Sequence, residues 1–428
     1  MRVLQITFRT LLLFGALAAL GNLIQAEETH DDWTRFRGPN GTGVISECNV
    51  PLPWTPSDVA WHVQLPGIGN SSPVVKGNRI FLMSADPNSA LRYLLCLDLA
   101  SGKEIWRKEV ASVAYNIHMR SSFASGTPCV DDGAVYFSWA TPDQLLLVAM
   151  THNGDEIWRR ELGPYVSQHG FGTSPALFGD LLILFNSQQA DELPAGVQPG
   201  VSRVTAFDRT TGTTVWETPR TTTRVCYGVP TLFVDPISRR ESLLFCNTGD
   251  GMFALDLETG KPIWNTKIFT KRSVSCPLVV GDIGIGTEGS GNGGNILFAV
   301  DLKSPNHELL FAEKDAAPYV PSPVAQGNLV FLWSDKAIVS CIELPSGKMH
   351  WKERVSGNTS TSPVIAGDKV IGITEDGKVT ILSASQNYHE LGSVELGDIT
   401  RATPLVAREY ILFRTNSQLY CVGKPTAQ

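Results

Sequence analysis

Beyond its first 26 residues the chain has no continuous apolar stretch of bilayer-spanning length, so no transmembrane segment is expected in its mature part. It is also poor in positive charge. Its 35 Lys and Arg against 42 Asp and Glu leave a formal net charge of −7, whereas a general nucleic-acid binder needs a basic surface to displace counterions from phosphates. No nucleic-acid partner is expected. The histidines and cysteines form neither an HxxxH pair nor a Cys-x-x-Cys pair, which leaves no metal ligand to assign. There is no Gly-x-Ser-x-Gly elbow, and no carboxylate pair stands out among the many loop acids. No catalytic residue is therefore assigned, and a sugar- or polymer-acting hydrolase is disfavoured.

What the chain does have is turns and an export signal. Hydrophobic residues make up 43%, and 39 Gly with 26 Pro supply turns without reaching low complexity in 428 residues. Arg2 and Arg9 flank the start of a short apolar run, Leu11 to Leu20, and Ala26 offers a small residue at a cleavage point. Residues 1–26 are expected to be a signal peptide and the mature chain to be periplasmic or secreted. No cysteine lies in residues 1–26, so a lipid-modified cysteine at that cleavage site is not expected.

Internal repeats carry the fold. A motif of small or aliphatic residue, apolar residue, acid, polar turn with Gly, then Trp recurs as CLDLASGKEIW at 96–106, AMTHNGDEIW at 149–158, AFDRTTGTTVW at 206–216, ALDLETGKPIW at 254–264 and CIELPSGKMHW at 341–351. Weaker copies lie at 299–311 and 381–392. Each reads as a β-hairpin. A second motif, a small residue, Pro and an apolar strand, places prolines at Pro73, Pro128, Pro175, Pro230, Pro277, Pro323, Pro363 and Pro404, 40 to 55 residues apart. That is the period of a four-stranded propeller blade. The last copy lacks an outer Trp strand, while VAWHVQL at 59–65 is an outer strand with no blade before it. The two halves complete one blade, with Trp61 on its outer strand, and remove the open edges that invite aggregation. The fold expected is all-β: an eight-bladed β-propeller at 58–423, sealed by its own ends, with 27–57 as an extension wrapping it through Trp33 and Phe36 and 424–428 as a tail.

The hairpin motif resembles the tryptophan-docking repeat of the pyrroloquinoline-quinone-like propellers, a group that includes quinoprotein alcohol dehydrogenases and the BamB-like scaffold of outer-membrane protein assembly. WTRFRGPNGTGV, from Trp33 to Val44, is similar to the segment that opens many exported propeller proteins of planctomycete-type bacteria. The resemblance implies that Trp106, Trp158, Trp216, Trp264 and Trp351, with Trp61, are structural, each packing across a neighbouring blade. For a dehydrogenase it also implies an adjacent cysteine pair and a calcium ion beside the quinone. No two of the eight cysteines are adjacent here. Cys96, Cys341 and Cys421 take the slot held by Ala149, Ala206, Ala254 and Ala299 and read as small buried fillers. Cys226 and Cys246 fall on successive strands of one blade and are candidates to pair.

Propeller topology puts the hairpins on one face and the segments leading into each Pro strand on the other. The second face is where the repeats differ, and loops vary where function is carried. It brings His118, Arg120, His169, Arg224, Lys271, Arg272, Tyr319 and Arg401 from six blades. If they converge they make a positive mouth for a carboxylate, a phosphate or an acidic peptide. Acids on the same face, among them Glu192, Glu288, Asp335 and Glu375, offer to pair them instead. GSGNGGN at 289–295 lies between two strands, so it lacks the helix N-terminus of a phosphate loop and reads as a hairpin loop. NSQQADELPAGVQPGVSR at 186–203 reads as an insertion in blade three. The expectation is a monomeric, non-catalytic binding or scaffold propeller for a protein or small anionic ligand, with no cofactor. The rival is a quinone-dependent dehydrogenase with pyrroloquinoline quinone and calcium, acting on alcohols or sugars.

Overall fold

The computed structural model describes residues 32–424. The expected signal segment and the last residues of the tail lie outside them. Eight antiparallel sheets form an eight-bladed β-propeller with four strands per blade, the seventh extended by a fifth. Blade 1, for example, runs Val74–Lys76, Arg79–Ala85, Arg92–Asp98 and Glu104–Val110 from centre to rim. Each of the eight prolines immediately precedes an innermost strand, where its missing N–H costs no ladder bond. In the middle strands side chains on both faces are buried, because each blade packs against a neighbour on either side. The outermost strands are exposed and carry charge, as in EIWRKEV and EIWRRE, which blunts a free edge.

The tryptophans lock each blade to the next. Trp61, Trp106, Trp158 and Trp216 donate their indole N–H to the carbonyls of Leu99, His152, Arg209 and Leu257 in the following hairpin. The glycine of that hairpin has positive φ and lies under the ring. A Cβ at Gly212 would come within 2.6 Å of Trp158, so only glycine fits both the turn and the contact. Trp351 donates to Ser385 in the same way. Trp264 differs: its N–H goes to Asp235 of its own blade and its ring packs on His307 at 4.2 Å.

Blade 8 is composite. Val59–Gln64 pairs with Gln418–Gly423, with Trp61 opposite Cys421. Arg414 then ties this blade to the first by donating to the carbonyls of Ser71 and Met83.

Two features line the axis. The small residue before each proline forms a belt in which the backbone N–H of one blade donates to the side chain of the next. Ser72 donates to Thr127, Thr127 to Ser174, Val229 to Cys276, Cys276 to Ser322, Ser322 to Ser362 and Ser362 to Thr403, at 2.9–3.2 Å. Below it, the N-terminal segment crosses the channel on the hairpin side. Trp33 pairs with Val75, Thr34 accepts from Val130, and Asn40 binds both the N–H and the carbonyl of Leu232. Val44–Ile45 adds a parallel strand to Val364–Ala366. Arg37, fully buried, donates to the carbonyls of Gly41, Thr42, Pro323 and Pro363. A guanidinium suits this hub because its five N–H groups fan out in one plane. The channel is thus closed from below, and Phe36 meets the cavity above.

All eight cysteines are free thiols. Cys96, Cys341 and Cys421 are buried, and burial pushes each thiol up to about 12, the mark of inert filling. Cys226 and Cys246 do not pair; the Cys226 thiol faces Thr248 and the Arg224 carbonyl.

Candidate functional site

Closing the lower end turns the channel into a cup of about 670 Å³ that opens on the variable face. His118, Arg120, His169, Arg224, Arg272, Tyr319 and Arg401 all line it. Lys271 does not; its ammonium holds the Gly294 carbonyl and so fixes the 289–295 loop, most of which forms part of the wall. The insertion at 186–203 docks by Ala190 and Asp191 onto the Thr223 carbonyl and stands at the rim.

Convergence does not leave every cation free. Glu375 takes Arg401 at 3.1 Å and Arg120 at 3.6 Å, so that one carboxylate is shared by two guanidiniums on its side of the cup. Arg224 meets Glu192 of the insertion at 3.5 Å, a pair open to water on the glutamate side. Asp335 accepts the backbone N–H groups of Tyr319 and Val320, and burial holds its carboxyl above the usual range despite them. Glu288 likewise accepts from Thr270 and Lys271.

Arg272 is the exception. It is 8% exposed. Its Nε donates to the Val225 carbonyl at 2.7 Å, its guanidinium lies over the Tyr227 ring at 5.2 Å, and Nη1 reaches the Tyr319 hydroxyl at 3.5 Å. Nη2 has no partner, and among the described residues no carboxylate lies within 4.0 Å. Burial opposes its charge, while Tyr227, Tyr319 and Cys226 favour it and raise its pKa. Opposite it, His169 is pulled down to about 4 by burial and then by Arg272, His118 and Arg224. The ring is therefore neutral at neutral pH. This half of the cup offers donors to an anion in a partly dry setting, where charge-assisted hydrogen bonds are strongest.

Sequence reasoning missed Tyr227 and Phe36 as walls and Glu375 as the shared partner of two arginines. Glu375 had a signal, since it was one of several acids on the right face, but nothing in the sequence marked it out from the others.

The sequence model of one protein family, described as outer membrane protein assembly factor BamB, matches residues 55–306 and 293–426. The chain belongs to this family. Among solved structures, this BamB-family chain is similar to BamB from Moraxella catarrhalis, at 18% identity over 85% of this chain and 96% of that one, with a TM-score of 0.60. It is also similar to a europium-containing methanol dehydrogenase, at 13% identity over 94% and 99% of the two chains, with a TM-score of 0.66. A quinohemoprotein alcohol dehydrogenase from Comamonas testosteroni gives 14% identity over 95% and 83%, also at 0.66. These likenesses show the fold. A tetrathionate hydrolase of Acidithiobacillus ferrooxidans is 24% identical over 262 residues, 58% of this chain and 46% of that protein. The chain thus spans about half the length of the curated relative it matches. Among the described residues no helix is long and apolar enough to cross a membrane.

Proposed function

We propose that the chain is a non-catalytic, extracytoplasmic binding propeller whose upper cup takes a small anionic ligand. Arg272 carries this reading. A buried cation without a counter-charge is costly unless a partner arrives, and this one faces a cavity that Arg224 and a neutral His169 share. Tetrathionate, in the name of the relative, is a dianion and belongs to the ligand class such a cup would take.

A quinone cofactor with calcium fits less well. Its acid groups would suit the arginines, but of the two carboxylates lining the cup Asp335 is taken by backbone N–H groups and Asp315 stands exposed, while Glu375 and Glu192 are engaged by Arg120, Arg401 and Arg224. Among the described residues no three His, Cys, Asp or Glu side chains are grouped to hold a metal. No step through a quinone is derived. A second reading has an observation of its own: Val113 and Met119, 75% and 89% exposed, flank the rim beside His118 and Arg120, which favours an acidic segment of a protein partner as the occupant.

The test is calorimetric titration of the purified full chain with citrate at low ionic strength, then with pyrroloquinoline quinone and calcium followed by dye reduction with alcohols and sugars. Calcium-independent citrate binding that weakens with salt supports the anion cup. Turnover with quinone and calcium supports the dehydrogenase reading and removes this one.

A further inference from the structure

His169 stands in a turn pinned from three sides. Its backbone N–H donates to Ser167 Oγ, and the Gly170 carbonyl accepts from both that hydroxyl and the Tyr227 hydroxyl at 3.0 Å. The backbone that carries the ring is therefore held at the cup wall. It stands edge-on to His118 at 5.0 Å, with an interplanar angle of 89°. His118 Nδ1 accepts the backbone N–H of Arg120.

The charged groups that act on His169 are Arg272, His118 and Arg224, all cationic or able to become so. Of the acids at the cup, Glu192 is engaged with Arg224 at the rim, Asp335 accepts the backbone N–H groups of Tyr319 and Val320, and Asp315 is exposed on the wall. Arg272 itself lies over the Tyr227 ring and reaches the Tyr319 hydroxyl. An anion seated on Arg272 reverses the sign of the field at the imidazole. A dianion such as sulfate about 5 Å away, at an effective dielectric of about 40 in a cup open to water, raises a histidine pKa by about 2.

We propose that this half of the cup binds a fully ionised oxyanion together with one proton, His169 becoming an imidazolium as the anion settles on Arg272. The proton comes from solvent onto the free ring nitrogen, and no bond to the ligand forms or breaks. The inference rests on the anion-cup reading and adds its proton linkage.

Sulfate is the probe, because it keeps its charge throughout the range used. Histidine NMR titrations of the full chain, with His169 assigned through His169→Gln, should place its pKa near 4 without sulfate and about 2 higher at saturation. Sulfate affinity should then be flat at neutral pH and rise about tenfold per pH unit as the pH falls from about 6 to about 4. His169→Gln should remove that slope. If acid unfolds the chain, titration at pH near 6 in buffers of different ionisation enthalpy should still register uptake of about half a proton per sulfate. Sulfate that binds with the same affinity across the range, taking up no proton, overturns the linkage and leaves the anion site standing. A folded chain that binds no sulfate at any pH overturns both.

Discussion

Replacing Gly212 by Ala tests the reading that glycines beneath the docking tryptophans set the blade-to-blade contact. Gly212 has φ +69, and its Cβ would lie 2.6 Å from Trp158. The left-handed conformation alone costs a non-glycine residue about 1–2 kcal/mol. Restoring an ordinary contact of about 3.6 Å means moving the indole by about 1 Å, and overpacking of that kind adds about 1–3 kcal/mol. Lower entropy of the unfolded chain returns about 0.5–1 kcal/mol. The net loss expected is about 2–4 kcal/mol. Gly179 in the same blade has φ +57 and open space around its Cβ, so Gly179→Ala isolates the backbone strain and should lose only about 1 kcal/mol. Urea unfolding of both variants, followed by tryptophan fluorescence and circular dichroism, supplies the comparison. Equal losses from the two substitutions would refute the argument, because the Trp158 contact is then absent from the balance.

Three other outcomes follow from the same geometry. Trp61→Ala removes the ring that closes the composite blade and should destabilise by about 3–5 kcal/mol in the same assay. Arg37→Met leaves the Gly41, Pro323 and Pro363 carbonyls without their donor; it should cost about 3 kcal/mol or more and expose the channel floor to limited proteolysis. His169 is held at about 4 against an ordinary 6.5, so between those values the unfolded chain binds a proton that the folded chain refuses. Stability should therefore fall as the pH drops from about 6.5 towards about 4, with less of a fall in His169→Gln, measured as urea midpoints at each pH.

The ring itself was open to reading because its signals are local and repeated. All eight prolines sit one residue before an innermost strand, and the unmatched strand around Trp61 does close on the last repeat. The belt was written in the same places, as Ser or Thr before six of the eight prolines, and only its use as an acceptor for the neighbouring blade needed coordinates. The path of the N-terminal segment was not legible. Arg37 reaches carbonyls 286 and 326 residues away, and such contacts leave no period in a sequence. The same holds for the cup. That seven chosen side chains share one cavity follows from repeat phase, but that Glu375 engages Arg120 and Arg401 while Arg272 keeps no carboxylate depends on loop shapes unique to each blade. Trp264 shows the limit in miniature: it carries the same motif as the other docking tryptophans, yet its N–H goes to Asp235 of its own blade and its ring packs on His307.

The most direct measurement of the central claim is citrate binding by the wild-type chain and by Arg272→Gln, both checked for folding by circular dichroism, at low and at raised ionic strength. The account predicts one citrate per wild-type chain, weakened by salt, and at least a tenfold loss in the variant, about 1.4 kcal/mol or more. Equal affinity in the two proteins, or no binding by the folded wild type, would contradict it.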